Sequence, residues 1–312
     1  MIMVKILKIN EVILEFYGRL PAGRHRAFRT SAVRSIVLRS KTTPPAVLQS
    51  LAQNNTGHTK MNEKIQQLQQ MIDESSRIVF FGGAGVSTES GIPDFRSQDG
   101  LYRQQWKYPP ETIISRSFFD ANPKEFYRFY REKLIIKDAK PNITHIKLAE
   151  LEKAGKLTAV VTQNIDGLHQ KAGSKKVYEL HGSTLRNFCM RCGKFYDDAF
   201  ILQSKDSPDT LPHCTECGGL VKPDVVLYEE GLDDSTVNGA IKAISEADML
   251  IIGGTSLVVY PAAGFIRYFK GNHLVMINKS ETQADGMADL VLHQGLGSVF
   301  EQIKINPSES AE

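Results

Sequence analysis

No stretch of this 312-residue chain approaches the roughly 18 consecutive apolar residues of a membrane-spanning helix. Its longest apolar runs, such as Met249–Ile252 and Leu257–Tyr260, have strand length, so no membrane partner is expected. Cysteine is scarce too. Cys189, Cys192, Cys214 and Cys217 are the only four, too few in too long a chain for a secreted disulfide scaffold, which points to a reducing, cytoplasmic setting. A broad surplus of positive charge is also missing. Residues 1–60 hold ten Lys/Arg against two acids, Glu11 and Glu15, whereas residues 61–312 hold 28 against 33. The body is therefore mildly acidic, and its charge does not imply a nucleic-acid partner.

What is present is globular. From Met61 onward, apolar strand candidates alternate with helical stretches. Ile65, Leu68 and Ile72 recur at helical spacing before the short run Arg77-Ile-Val-Phe-Phe81. Asn142 to Gly155 reads as a helix stopped by glycine. Further strand candidates are Leu157–Thr162, Val177–Leu180, Asp224–Tyr228, Met249–Gly253, Leu274–Asn278 and Asp289–Leu292, with helices at Asp234–Ala247 and Pro261–Phe269. Near-continuous apolar strands between helices predict an α/β fold, a Rossmann-like doubly wound parallel sheet. A Cys-rich stretch, about residues 186–222, interrupts this rhythm and reads as a small inserted zinc module.

Residues 1–60 do not follow the rhythm. They are Arg-rich and end in a Pro/Ser/Thr/Asn/Gln-rich stretch, Thr42–Lys60. That composition fits a mitochondrial transit peptide, or a stretch upstream of a start at Met61. The expectation is a disordered extension, or one that is not part of the native protein, beside a catalytic domain over 61–312.

Four features carry chemistry. Gly82-Gly83-Ala84-Gly85 closes the first strand, where glycines let backbone amides approach a pyrophosphate. As a dinucleotide fingerprint the match is poor, because Thr88 stands where the last glycine belongs and no acidic ribose ligand follows about 20 residues later. A hydride-transferring dehydrogenase is disfavoured, and a tight turn explains the glycines equally well. Gln163, Asn164 and Asp166 follow a strand end, where they are either turn formers or polar ligands. His181 follows another. A lone histidine is more often structural, but at a strand C-terminus of an α/β sheet it faces the ligand crevice with a pKa suited to proton removal. Cys189-x-x-Cys192 and Cys214-x-x-Cys217, with 21 residues between the pairs, complete a tetrahedral zinc shell with no position left for water, so the metal is structural. A redox pair and a DNA-binding ribbon are the rivals, the second opposed by Asp197, Asp198, Asp206, Asp209 and Glu216.

Taken whole, Gly83-Ala-Gly-Val-Ser-Thr-Glu-Ser-Gly-Ile-Pro-Asp-Phe-Arg96 resembles the NAD-binding signature of the sirtuin protein deacylases. Thr162-Gln-Asn-Ile-Asp-Gly-Leu-His169 and Glu179-Leu-His-Gly182 resemble the second and third signatures, the cysteine pairs follow in order, and Gly254-Thr255-Ser256 and Asn278-Lys279 match late nucleotide-binding positions. The collinear blocks run from about Met61 to Ile305. The resemblance implies an NAD-dependent lysine deacetylase holding one structural zinc. It assigns His181 as general base and Asn164 as a catalytic partner. Gly83, Ala84, Gly85, Asp94, Phe95, Arg96, Gln163, Ile165, Asp166, Gly254, Thr255, Ser256, Asn278 and Lys279 become cofactor contacts, Phe95 shielding the reactive sugar. His145 and His169 keep structural roles.

The implied reaction begins with attack of the acyl oxygen on the sugar carbon that bears nicotinamide. It ends with free lysine and acylated ADP-ribose. Protein ADP-ribosylation, or a non-catalytic NAD and zinc-ribbon module, is the alternative. Acetyl-lysine proteins are expected to bind as an added strand beside Val225, Val226, Leu227 and Tyr228. The chain departs from the family's frequent Phe-Gly-Glu with Tyr228-Glu229-Glu230. Family members that prefer succinyl-lysine carry a Tyr-x-x-Arg pair; here Tyr127 is followed by Tyr130 at the arginine position, with Arg131 turned about 100° away, which favours acetyl over succinyl groups.

Overall fold

The structure, a computed structural model, describes residues 62–95, 100–103 and 106–306. The readings made for residues 1–60 lie outside that range. Among the described residues, nine strands fall into two sheets. Six of them, β1 (Ile78–Gly82), β2 (Leu157–Thr162), β3 (Val177–Glu179), β7 (Met249–Gly253), β8 (His273–Ile277) and β9 (Leu290–Leu292), form one all-parallel sheet in the order β3-β2-β1-β7-β8-β9. The chain winds outward from β1 to β3, then returns beside β1 with β7 and winds outward the other way. The order reverses between β1 and β7, and in open α/β sheets ligands bind outside the carboxyl ends of the strands at such a point.

Both faces are covered, which explains the unbroken apolar runs. Successive residues of a strand point to opposite faces. Ile78 and Phe80 therefore pack with Leu68, Ile72, Leu148, Leu151 and Phe300, from the helices over residues 62–74, Ile143–Lys153 and Leu296–Phe300. Val79 and Phe81 pack the other way, with Ala240 and Ile244 of the Asp234–Glu246 helix and with Phe265. The Pro261–Phe269 stretch, expected as an α-helix, is a 3₁₀ helix over Ala262–Tyr268. Among the described residues no helix is long and apolar enough to cross a membrane.

The second sheet is antiparallel and small, in the order β5-β4-β6: β4 (Gly182–Cys189), β5 (Phe195–Tyr196) and β6 (Val221–Val225). It corrects one expectation. The Asp224–Tyr228 run is not a strand of the parallel sheet; only its first two residues are in β6. Alternate residues of β6, Val221, Pro223 and Val225, are buried and those between are not, the pattern of a sheet covered on one face. This sheet packs with aromatic residues of the Arg116–Ala121 and Pro123–Phe129 helices in a third apolar cluster.

The chain enters the small sheet by one short step and returns to the parallel sheet by the longer stretch from β6 to β7. β3 ends at Glu179 and β4 begins at Gly182, so Leu180 and His181 are the whole connection. Gly182 pairs with Val225 at φ +76°, and a Cβ there would lie 1.9 Å from the Asp224 carbonyl oxygen. Only glycine permits that crossing.

At the reversal point the backbones themselves touch. The Gly83 and Gly85 amides donate to the Gly253 and Gly254 carbonyls at 3.3 and 2.8 Å. Gly254 has φ +61°, and a Cβ on it would sit 2.5 Å from the Val86 nitrogen. Gly254→Ala should therefore destabilise the protein by about 2 kcal/mol or more, since backbone cannot rotate away as a side chain would. Gly286→Ala, at a glycine with open space around it, should leave the melting temperature nearly unchanged. Equal melting temperatures for the two variants would refute the close-contact argument.

Candidate active site and metal centre

A cavity of about 1490 Å³ opens at the carboxyl ends of β1, β2 and β7. It brings together nearly every residue singled out from the sequence. Gly83, Ala84, Gly85, Asp94, Phe95, Gln163, Asn164, Ile165, Asp166 and His181 line it, as do Gly254, Thr255, Ser256, Asn278, Lys279 and the run Val225–Tyr228. Arg96 lies outside the described residues.

The loop after β2 is locked to the glycine loop after β1. The Ser87 hydroxyl donates to Asp166 Oδ2 at 2.6 Å and accepts from Asn164 Nδ2 at 3.0 Å. Asp166 Oδ1 accepts the Leu168 amide at 2.9 Å, which starts the Leu168–Ala172 helix. Gln163 Nε2 donates to Thr255 Oγ1 at 3.0 Å, and Asn278 Nδ2 donates to the Thr255 carbonyl at 2.9 Å, so the ends of β2, β7 and β8 share one network. Sequence reasoning missed Ser87 and Asn142 as members of this framework. Asn142 donates to the Val86 carbonyl and to Ser90 Oγ while its own Oδ1 caps the Ile143–Lys153 helix. An asparagine just before a helical apolar pattern is a readable N-cap signal; its bonds to residues more than 50 positions away are not.

His181 has a defined tautomer. Its Nδ1 lies 3.0 Å from the Gln163 carbonyl oxygen. A carbonyl can only accept, so Nδ1 carries the hydrogen in the neutral ring and Nε2 keeps the basic lone pair. Burial lowers the His181 pKa below its ordinary 6.5, partly offset by the Gln163 carbonyl. The ring is thus unprotonated near pH 7. His145 and His169 are buried and meet edge to face with centroids 4.8 Å apart. Burial first of all pushes their pKa values down to about 4 and about 3, so both are neutral core residues.

The Val225–Tyr228 wall has hydrogen bonds of its own. The Val226, Leu227 and Tyr228 amides already donate to the His181 carbonyl, Glu230 Oε2 and the Ile114 carbonyl. Glu229 takes φ +77°, and its carboxylate accepts from both the amide and the hydroxyl of Ser117 at 2.9 and 3.0 Å. The helix reading of acyl choice is also corrected. Tyr127 and Tyr130 do not line the cavity; they are fully buried in the third apolar cluster, where the Tyr127 hydroxyl donates to the Val221 carbonyl. Arg131 points to the small module, donating to Ser204 Oγ and the Thr210 carbonyl. Cavity residues from this region come later, from Lys133 to Lys137.

The four cysteines are free thiols with their sulfurs within 4.8 Å of one another. The closest pairs are Cys189–Cys217 at 3.4 Å and Cys192–Cys214 at 3.6 Å. A tetrahedron with Zn–S bonds of about 2.3 Å has edges of about 3.8 Å, so the cluster fits one zinc ion. Both pairs are built alike. Gly193 and Gly218, at φ +72° and +71°, follow the second cysteine of each pair and donate back to the carbonyls of Cys189 and Cys214. Amides of Arg191 and Cys192 approach the Cys189 sulfur at 3.4 and 3.5 Å, which stabilises a thiolate.

A model described as the Sir2 family matches residues 83–261. A protein named NAD-dependent protein deacetylase from Clostridium acetobutylicum is 61% identical over 243 residues, 77% of this chain and 98% of that one. This chain belongs to the Sir2 family. A second deacetylase so named, from Clostridium perfringens, is 61% identical over 246 residues, covering 78% of this chain and 99% of its own. Among solved sirtuins, one described as "Sir2-p53 peptide-NAD+" superposes with TM-score 0.69 at 40% identity, covering 76% of this chain and 96% of its own. Another, "Sir2 bound to acetylated peptide", gives 0.68 at 37% over the same shares.

The sirtuin's metal centre holds Cys189 and Cys214 in the same apolar cluster as Val225 and Leu227 of the cavity wall. Metal analysis should find about one zinc per chain. Cys214→Ser, and separately complete removal by a chelator, should lower the melting temperature by several degrees. An unchanged melting curve after full zinc loss would show that the metal is not structural.

Proposed function

We propose that the chain is an NAD-dependent protein lysine deacetylase with His181 as its general base. The observation that carries this reading is the fixed tautomer of His181: its Nδ1–H is committed to the Gln163 carbonyl, which leaves a neutral, basic Nε2 on a cavity residue. NAD, when bound, would supply an electrophilic sugar carbon for the acetyl oxygen, with nicotinamide as leaving group, and a sugar hydroxyl as the final acceptor of the acetyl group. The residues present fit that group. Gly83, Ala84 and Gly85 line the cavity with almost no side chain, while the Gly83 and Gly85 amides stay bonded to the Gly253 and Gly254 carbonyls. Asn164 and Asp166, tied to Ser87, hold polar groups on the cavity floor without needing to reorganise. Phe95, which lines the cavity, would cover the sugar and keep water from it.

The acetyl-lysine peptide lies beside Val225–Tyr228. Because the Val226, Leu227 and Tyr228 amides are already engaged, these residues offer side-chain surface. The main-chain bonds of an added strand fall to the residues after Tyr228 and to the stretch after Ser256. His181 accepts a proton from the sugar diol, and its rigid seat keeps Nε2 in place for that transfer.

Mass spectrometry of an acetylated peptide incubated with NAD should show loss of the acetyl group and appearance of acetylated ADP-ribose. A peptide carrying ADP-ribose instead would favour the transferase reading. His181→Ala should lower turnover on the order of 10²-fold or more while NAD still binds. The pH profile supplies an independent check. A base whose pKa is depressed works above that pKa and fails as pH falls through it, so the acid limb of kcat/KM should lie below pH 6.5. An acid limb above that value, or near-normal turnover in His181→Ala, would remove His181 from this role.

A further inference from the structure

Tyr228 replaces the phenylalanine of the family's frequent Phe-Gly-Glu, and its added hydroxyl is engaged. It lies 2.8 Å from the hydroxyl of Tyr102, 126 residues away in sequence. Both residues line the cavity, Tyr228 on the substrate wall and Tyr102 at the stem of the segment that carries Phe95. That stem is pinned. The Leu101 and Tyr102 amides donate to the Asp94 and Phe95 carbonyls at 2.8 and 2.9 Å, and the Tyr102 ring meets the Phe95 ring edge-on at 5.5 Å.

Tyr228 is itself a fixed point. Its amide donates to the Ile114 carbonyl, and its carbonyl accepts the Arg116 amide, both at 3.0 Å. Glu229, where the family pattern has glycine, holds its left-handed conformation while bonding Ser117, and Glu230 receives Arg116, Lys222 and the Leu227 amide. A left-handed glutamate is strained, and the Ser117 bonds offset that strain. The whole Leu227–Glu230 corner is thereby anchored to the start of the Arg116–Ala121 helix.

We propose that Tyr228 is a positioning residue for the cofactor: its hydroxyl, through Tyr102, ties Phe95 to the substrate wall. The ring that covers the sugar is thus held from the side on which the peptide binds. This rests on the deacetylase reading for the role of Phe95, but its geometry does not depend on turnover. The bond joins two partly exposed hydroxyls, so its loss should have a modest effect, confined to binding.

The test compares the full chain with Tyr228→Phe, Tyr102→Phe and the double variant. NAD dissociation constants are measured by titration, and kcat and KM with an acetylated peptide. Each single variant should weaken NAD binding about two- to fivefold, the scale of one lost hydrogen bond, and the peptide KM is read separately because Tyr228 also faces the peptide. The double variant should be no worse than either single one, because both remove the same bond. Melting temperatures should stay within a degree or two of the parent, which separates this role from a general loss of fold. Unchanged NAD affinity in Tyr228→Phe, or effects that simply add in the double variant, would overturn the proposal. If the parent chain failed to deacetylate, the deacetylase reading would fall, and the dissociation constants would still decide the tyrosine pair.

Discussion

The architecture depends on the contact between two backbones at the centre of the parallel sheet. Where the strand order reverses, the chain leaving β1 and the chain leaving β7 would diverge if either carried ordinary side chains. Gly83, Gly85 and Gly254 instead let amide meet carbonyl directly. The polar residues that follow β1, β2 and β7 are referred to that seam. Thr255 follows it and receives Gln163; Ser87 follows it and receives Asn164. Gln163 in turn orients His181 through its carbonyl. A backbone contact has no rotamers and no chain entropy beyond that of the strands themselves, so the His181 ring inherits the rigidity of the sheet.

The second organising element makes up for a small core. Three strands, one of two residues, cannot bury enough apolar surface to hold themselves together. The four thiols close that module, and the aromatic side chains of the Pro123–Phe129 helix cover one face of it. Leu180 and His181 are the only link from β3 to β4, so the His181 ring is mounted at the boundary between a core-stabilised sheet and a metal-stabilised one.

How much of this could be read from sequence follows from the range of the interactions. β1, β2, β7 and β8 announced themselves because strands buried on both faces are apolar throughout, and the cysteine pairs because metal-binding turns are local. β6 was placed in the wrong sheet because Val-Lys-Pro-Asp-Val has a weak alternation and the more apolar residues follow it. The packing of Tyr127 and Tyr130 could not be read from sequence, because helical spacing says which side chains share a face, not what that face meets. The Ser87–Asp166 and Tyr102–Tyr228 bonds join residues 79 and 126 positions apart, and no local pattern encodes either.

The two cysteine turns also bear on how the small module forms. Each is a five-residue loop closed by its own glycine amide, so each prepares two sulfurs at almost no cost in long-range chain order. Joining the turns means closing the 21 residues between Cys192 and Cys214, a cost that grows only as about (3/2)RT times the logarithm of loop length. A metal ion captured by either turn can therefore wait for the other. An ion that joins the turns would also hold together the ends of β4 and β6 that flank them.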